Sequence, residues 1–171
     1  MLSRACHAEH IRLALAMEAC RNGKESKKEI QLRLERLERR FVLFEKVLSA
    51  HKDHSLYESL LDLERKHECN PDFENTLKGN VENSYCRSYI AELFPGLYEP
   101  ELRLVSNLIR EQLENPPGKA WDFDPERLEK ERAHIRDAFY RTPLRKYHTP
   151  CKKAFAALPE VLEELSFMKE E

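Results

Sequence analysis

Glycine is scarce in this chain, and several familiar sequence signatures are missing. Only four glycines occur in 171 residues, which favours helices over a fold rich in sheets and tight turns. No run of about 18 apolar residues is present, so the sequence predicts no helix that crosses a membrane. The motifs G-x-x-x-x-G-K-S/T, G-x-G-x-x-G and G-x-S-x-G are also absent, which removes the usual signs of a nucleotide site or a serine hydrolase.

An excess of basic residues is missing as well. Lys and Arg number 29 and Asp and Glu number 31, which leaves a formal net charge of -2. A protein that binds nucleic acid over much of its surface carries a clear basic excess, so an anionic partner of this chain must be met by a local patch. Charged residues still make up 35% of the chain, and this abundance suits solvated helix faces.

The five cysteines form no paired motif. Their number is odd, their spacing is irregular and no C-x-x-C occurs: Cys6, Cys20, Cys69, Cys86 and Cys151. This pattern predicts free thiols in a reducing intracellular compartment, the cytoplasm or the mitochondrial matrix. Residues 1–5 are similar to the start of a mitochondrial presequence, but Glu9 and Glu18 follow and such segments contain few acids.

The most strongly specified element is a helix over residues 27–50. Its apolar residues recur at gaps of three and four and therefore share one narrow face: Ile30, Leu34, Leu37, Phe41, Phe44 and Leu48. Ser26 and Glu29 have the spacing of a capping box at its start. Leu32 and Leu43 lie on the opposite side, where we expect a second neighbour, either another helix or a partner protein.

Similar patterns predict further helices. The first covers residues 4–21, with Ala8, Ile11, Leu15 and Ala19 on the side expected to pack, and it ends at Asn22-Gly23. Cap, proline and glycine signals set the other boundaries. In chain order, helices begin at Ser55 and at Pro71, the latter ending at Gly79; an aromatic helix ends at Pro95-Gly96; one runs from Pro100 to Asn115; a charged helix begins at Asp124-Pro125 and ends at Thr142-Pro143; and short helices begin at Thr149-Pro150 and Pro159.

These elements predict an all-α fold, an irregular bundle of about six to eight helices in a single domain. Residues 1–115 form the expected bundle core around the helix of 27–50. Residues 116–171 form a charged helix and a C-terminal helical extension, packed on that core or projecting from it. The charged helix has only a thin apolar stripe of Leu128, Ile135 and Phe139, so we expect it to be mostly solvated.

Two Glu-x-x-His elements offer one route to an enzyme. Glu64 with His67 and Glu131 with His134 lie on different predicted helices, and bundle-type di-metal carboxylate proteins use two such elements. His67 falls on the apolar side of its helix, whereas His134 lies about 120° from the apolar stripe of its own. Only one element is therefore expected to point inward. The leading expectation is that the chain binds no cofactor, and a di-metal enzyme is the alternative.

A mixed cysteine and histidine set was considered for zinc. Cys6 and His10 are four residues apart and share a helix face, and His51 and His54 offer further nitrogen ligands. The paired short spacings typical of zinc sites are missing, so the sequence favours an incidental grouping.

One stretch breaks the even mixing of charges. No acidic residue occurs between Asp137 and Glu160, while five cations do: Arg141, Arg145, Lys146, Lys152 and Lys153. Tyr140, Tyr147 and His148 lie among them. Such a segment suits an acidic protein surface, a phosphate-bearing ligand or RNA. The alternative is a solvated loop whose charge is offset by the acidic C-terminal end.

Two short stretches resemble a known family. Leu97-Tyr98-Glu99 followed by Leu102-Arg103, and later Ile135-Arg136 with Phe139, is similar to the LYR-motif proteins. These are small helical mitochondrial assembly factors and respiratory-complex subunits that engage acyl carrier protein. Glu99 stands where that family has arginine and Pro100 interrupts the motif, so we transfer no functional residue. The resemblance only favours a role as a subunit of a larger assembly.

The sequence therefore predicts a non-catalytic helical subunit or adaptor of a larger multiprotein assembly, such as an accessory or assembly subunit of a mitochondrial complex. Its expected partners are other protein subunits, at least one of them acidic. The predicted contact residues are Arg141, Arg145, Lys146, Lys152, Lys153, Leu32 and Leu43. Two alternatives remain open: the di-metal enzyme, and an RNA- or phosphate-binding adaptor that uses the segment 141–153.

Overall fold

The computed structural model describes residues 2–67, 72–82, 90–115, 121, 123–150, 156 and 158–167. Within these ranges the chain forms seven α-helices and no strand: α1 (Leu2–Arg21), α2 (Lys27–Leu48), α3 (Leu56–Lys66), α4 (Phe73–Glu82), α5 (Glu99–Leu113), α6 (Pro125–Arg141) and α7 (Leu158–Phe167). Two 3-10 turns, Lys52–His54 and Leu144–Lys146, and a π-helical turn, Phe94–Tyr98, complete the described elements. The all-α prediction is confirmed.

Helix α2 carries the first core cluster. Its start is fixed as predicted, because the Glu29 N–H donates to Ser26 Oγ over 3.2 Å. Ile30, Leu34 and Leu37 are completely buried on its main face. Helix α1 covers that face from one side and α5 from the other, with four buried side chains: Leu13 and Ala16 of α1, and Leu102 and Ile109 of α5.

A second core cluster forms around Phe139 near the end of α6. Leu56 and Leu60 of α3 and Leu93 and Leu97, from the segment that leads into α5, pack against it. Phe139 is the one fully buried residue of α6, whose exposed positions outnumber its buried ones within the described chain. Most of α6 is therefore exposed to solvent, as its thin apolar stripe predicts.

The predicted orientation of α1 is wrong. Ile11 and Leu15, expected to face inward, are 62% and 64% exposed. The opposite side is buried instead, and it carries Glu9 at its centre. Because Arg40 of α2 pairs with Glu9, a carboxylate can occupy the buried face of α1 without an unpaired charge.

Two glycines predicted to end helices lie inside them. Gly79 is within α4, which continues to Glu82. Pro95-Gly96 lies in the π-helical turn Phe94–Tyr98, which runs directly into α5, so Pro100 falls in the first turn rather than starting a separate helix. A Cβ at Gly96 would lie 2.8 Å from Phe139 Cε2, which shows that the glycine permits a close approach.

The other boundary signals are confirmed where the structure describes them. Gly23 has a φ of +70°, as expected after the end of α1. Ser55 accepts from the Glu58 N–H and caps α3, and Asp124 caps α6. The predicted helix start at Pro71, the first half of the predicted aromatic helix (85–89) and the helix expected after Thr149-Pro150 lie outside the described residues.

The predicted extension shares clusters with the predicted core. Phe139 of α6 packs among residues of α3, and Val161 of α7 packs with Leu2, Ala5 and Leu43. The boundary placed after residue 115 stays a prediction. None of the helices in the described ranges is both long and apolar enough to span a membrane.

Candidate functional site

The turn Leu144–Lys146 presents two cations on a rigid support. Leu144 is completely buried, and its N–H donates to Glu74 Oε1 of α4 over 2.8 Å. Arg145 and Lys146, the next two residues, are exposed, and neither forms an ion pair with a described residue. The chain thus fixes the backbone of this turn while leaving both positive side chains free in solvent.

Lys78 of α4 holds the chain leading into that turn. Its ammonium donates to the carbonyl oxygens of Tyr140 at 3.1 Å and Thr142 at 2.9 Å, and it lies 2.8 Å from Glu74 Oε1. An ammonium has three donors, so these three contacts satisfy it although its side chain is only 1% exposed. It also lies 5.5 Å from the centre of the Phe139 ring. We did not identify Lys78 from the sequence, where the i,i+4 spacing from Glu74 was the available signal.

The other predicted cations behave differently. Arg141 is exposed and pairs with Asp137, one helical turn earlier, at 2.7 Å. Lys152 and Lys153 lie outside the described residues. Of the five cations predicted for partner binding, the structure therefore places two, Arg145 and Lys146, together and unpaired.

The aromatic residues of this segment turn inward. Tyr140 and Tyr147 are half-buried, and their rings lie 5.9 Å and 5.7 Å from that of Phe139. His148 packs against Tyr57 at 5.1 Å. Since single-stranded nucleic acid is typically bound by stacking bases on exposed aromatic rings, the segment lacks that platform among its described residues.

Leu32 and Leu43 do not form a shared exposed face. Leu43 is 1% exposed, because Leu2 and Ala5 of α1 and Val161 of α7 cover it. Its predicted role as a partner contact is therefore wrong, and the second neighbour expected there is a helix of the same chain. Leu32 is 40% exposed and remains open to solvent.

The di-metal prediction is not supported by the geometry. Glu64, His67, Glu131 and His134 are all exposed, and His67 ends α3 as its C-cap instead of pointing inward. Within the described part of the chain, no three His, Cys, Asp or Glu side chains converge on a point that could hold a metal ion. The inward direction expected for His67 is wrong because α3 ends at Lys66, one residue before it.

One serine does lie beside a histidine, but its hydrogen bonds are structural. Ser55 Oγ lies 3.3 Å from His148 Nδ1, donates to Glu92 Oε1 over 2.5 Å and accepts from the Glu58 N–H. The buried Glu92 carboxylate also accepts from the first two backbone N–H groups of α3, at 2.8 and 3.0 Å. These residues therefore cap α3, and the Ser55 hydroxyl is committed to that role.

A cavity of about 410 Å³ lies between α1 and α5, with α2 as its floor. Leu34, Leu37 and Phe41 of α2 line the floor. His10 of α1 lies at the rim, where its ring meets Phe41 edge-on at 5.8 Å and where partial burial of the ring lowers its pKa. Burial raises the pKa of the Cys6 thiol, which also lines the cavity, to about 11. Both shifts favour neutral side chains in this space.

Ser106 of α5 lines the same cavity. It is completely buried, and its hydroxyl has no hydrogen-bond partner in the described part of the chain. A buried hydroxyl without a partner costs about 1–3 kcal/mol, so this serine is unfavourable at its position among protein atoms. A short polar residue within an amphipathic helix gives no distinct sequence signal, and we did not identify Ser106 from the sequence.

Two arrangements thus stand out in the described residues, the unpaired cations of the turn Leu144–Lys146 and the apolar cavity between α1 and α5. Residues of several helices surround each of them. Searches of protein-family models, of curated proteins and of solved structures found nothing that matches this chain.

Proposed function

We propose that this chain is a non-catalytic helical adaptor or subunit that binds an acidic partner protein through the segment 141–153. The observation that carries the proposal is the fixed turn Leu144–Lys146, which exposes Arg145 and Lys146 without an ion pair to a described residue. Two adjacent cations repel each other, and an anionic surface removes that repulsion.

The support beneath the turn favours binding. Glu74 holds the backbone of Leu144, and Lys78 holds those of Tyr140 and Thr142. A partner therefore meets a backbone that is already ordered, so less conformational freedom is lost on association than with a flexible loop. Only the two long side chains have to be ordered at the contact.

A protein partner is favoured over RNA or a free phosphate. Tyr140, Tyr147 and His148 pack against the core and are not free to stack on bases. The whole chain has a formal net charge of -2, which gives no long-range attraction for nucleic acid. Carboxylates on a protein surface can pair with two neighbouring cations, and this needs neither exposed aromatic rings nor a basic net charge.

The compartment and the assembly belong to the same proposal. We place the chain in a reducing compartment, the cytoplasm or the mitochondrial matrix, because Cys6 and Cys20 are free thiols. Cys69, Cys86 and Cys151 lie outside the described residues. A role as an accessory or assembly subunit of a mitochondrial complex rests on the resemblance of the residues around Tyr98 to the LYR-motif proteins. This role suggests that the partner be sought among mitochondrial proteins.

The test compares the native particle size of three forms of the chain in extracts of the cells that make it. The parent should migrate in an assembly larger than the 20.3 kDa monomer. The variant Arg145→Gln/Lys146→Gln should be released as a monomer, while the matched control Lys24→Gln/Lys28→Gln, which changes two exposed cations elsewhere, should stay in the assembly.

Salt provides an independent check on the same particle. Exposed charges are screened over about 10 Å at 0.1 M salt, so raising the salt should release the parent and reproduce the effect of the double variant. A parent that migrates alone, or a double variant retained like the control at every salt concentration, overturns the proposal. The same comparison with Lys152→Gln and Lys153→Gln added extends the test to the full segment.

A further inference from the structure

The outward side of α1 is a second apolar face that the fold leaves open. Ile11 and Leu15 are 62% and 64% exposed, and Ala8 and Ala19 continue their stripe at helical spacing. The other side of α1 packs on α2 through buried residues such as Leu13. A solvated helix face is normally polar, so an apolar stripe on the outward side indicates a surface that contacts another molecule.

Two unpaired charges lie at opposite ends of this face. Arg4 and Glu18 are exposed, and neither side chain forms an ion pair or a hydrogen bond with a described residue. By helical-wheel arithmetic both lie within about 60° of Ile11 and Leu15. At a rise of about 1.5 Å per residue they are about 21 Å apart along the helix, so they cannot pair with each other. The face therefore has a cation at one end and an anion at the other.

A second copy of the same helix, running in the opposite direction, matches the apolar part of this face. Because a two-fold axis reverses the chain direction, residues before the axis on one copy meet residues after it on the other. When Ile11 lies opposite Leu15 of the second copy, Ala8 lies within one residue of Ala19 of that copy. The large side chains then pack together at the centre, and the small ones let the helices come close on either side.

The same pairing joins the unpaired charges. The exposed His7 then lies within one residue of Glu18 of the second copy, and Arg4, one turn further, reaches the same carboxylate with its long side chain. Each copy supplies a cation and an anion, so the contact forms twice. A parallel copy would instead bring like charges together, which is unfavourable. Charge complementarity therefore favours an antiparallel second copy as the molecule that covers this face.

We propose that α1 is the interface of a weak homodimer, in which the outward faces of two α1 helices pack antiparallel about a two-fold axis. A single helix face contributes far fewer residues than the about 20–30 on each side of a standard interface, so the dimer is transient. It forms at high protein concentration and dissociates in dilute extracts. The interface contains no residue of the turn Leu144–Lys146 and is independent of the proposed adaptor function.

Sedimentation equilibrium of the purified chain, at concentrations from about 5 to about 500 µM, tests the association. The mean mass should rise from the 20.3 kDa of the monomer toward twice that value. A parent that keeps the monomer mass at the highest concentration overturns the dimer. That result leaves the adaptor proposal intact, because the sample contains no other protein.

Leu15→Glu tests the location of the contact. It should raise the dissociation constant of the dimer by about tenfold or more, because it brings carboxylates into an apolar contact. Leu162→Glu is the matched control, since Leu162 of α7 is 66% exposed and lies outside the proposed interface, and it should leave the constant unchanged. Both variants should keep the circular dichroism of the parent at low concentration. Equal weakening by the two variants would show association without a specific site and overturn the proposal.

Charge reversal tests the antiparallel direction. At about 50 mM salt, where screening is weak, Arg4→Glu and Glu18→Arg should each weaken the dimer about threefold to tenfold, because like charges then meet across the axis. Both changes suit the helix itself, since an anion at its start and a cation at its end are favourable. The double variant Arg4→Glu/Glu18→Arg should regain the affinity of the parent, because each new charge again faces its opposite. A double variant that dimerises no better than the single ones overturns the antiparallel arrangement.

Discussion

Arg40 Nη1 donates to Glu9 Oε2 over 2.7 Å, and both side chains are withdrawn from water. The same guanidinium donates through Nε to Glu164 Oε1 at 2.8 Å and through Nη1 to the Ala5 carbonyl at 3.2 Å. One arginine of α2 therefore fastens both α1 and α7. Removal of one member of such a buried set leaves charges without compensation, which costs far more than the net value of the pair.

Arg40→Met should lower the free energy of unfolding by about 3–5 kcal/mol, because it leaves the carboxylates of Glu9 and Glu164 buried without their main partner. Arg39→Met is the matched control. Arg39 is 55% exposed and only 3.6 Å from Glu164, so its loss should cost less than about 1 kcal/mol. Urea unfolding followed by circular dichroism measures both values, and equal losses would contradict the structure.

Gly96→Ala and Gly79→Ala should change stability in opposite directions. The new Cβ at position 96 would lie 2.8 Å from Phe139 Cε2, so the ring must shift, at a cost of about 1–3 kcal/mol. At position 79 the nearest atom would be Tyr140 Oη at 3.5 Å, an ordinary contact, and alanine in a helix gains about 0.5–1 kcal/mol over glycine. Thermal melting distinguishes the signs, and stabilisation by Gly96→Ala would exclude the close approach.

Glu45→Gln should stabilise the chain at neutral pH and have little effect in acid. Burial, followed by the nearby Glu99, raises the pKa of Glu45 above its ordinary value of 4.5. The folded state therefore holds the proton more tightly than the unfolded state, and stability from this group is lost as the pH rises through its folded pKa. The ionised carboxylate is then unfavourable at pH 7, and glutamine removes it.

Unfolding curves of parent and Glu45→Gln at pH 4 and pH 7 give the comparison. The stabilising difference should appear only at the higher pH. Glu163→Gln, at an exposed position of α7, is the control and should change stability little at either pH. A larger gain for Glu45→Gln at pH 4 than at pH 7 would reverse the sign argued here.

Leu43→Ala and Leu32→Ala should differ in their effect on stability, although the sequence predicts both residues on one contact face of α2. Leu43 is buried among Leu2, Ala5 and Val161, so its truncation should cost about 2–5 kcal/mol, as should that of Leu37. Leu32 is 40% exposed, and its truncation should cost far less. Urea melts of the isolated chain provide the values, and similar small losses at positions 32 and 43 would show that α7 does not cover Leu43.

The sequence predicts local structure well wherever a side chain acts on its own backbone. Ser26, Ser55 and Asp124 cap helices as expected, because a cap depends on the identity of residues two or three positions apart. The shared buried face of Ile30, Leu34 and Leu37 is predicted for the same reason, because the spacing of these residues along the chain alone determines it.

The orientation of α1 could not be predicted in the same way. Both of its sides carry aliphatic residues, and the choice between them depends on Arg40, which lies 31 residues beyond Glu9 in the chain. Lys78 and Ser106 were missed for a related reason. Two partners of Lys78, the carbonyls of Tyr140 and Thr142, lie more than 60 residues away at the end of α6 and just after it. The burial of Ser106 depends on how α1 and α5 pack on α2.

The π-helical turn Phe94–Tyr98 affects how the molecule unfolds. It continues without a break into α5, so one rod delivers Leu93 and Leu97 to the cluster around Phe139 and Leu102 and Ile109 to the cluster on α2. Neither cluster can lose this rod without exposing part of the other. We therefore expect the slowest-exchanging amide protons of both clusters to share one opening reaction, in which a single cooperative unit spans what look like separate cores.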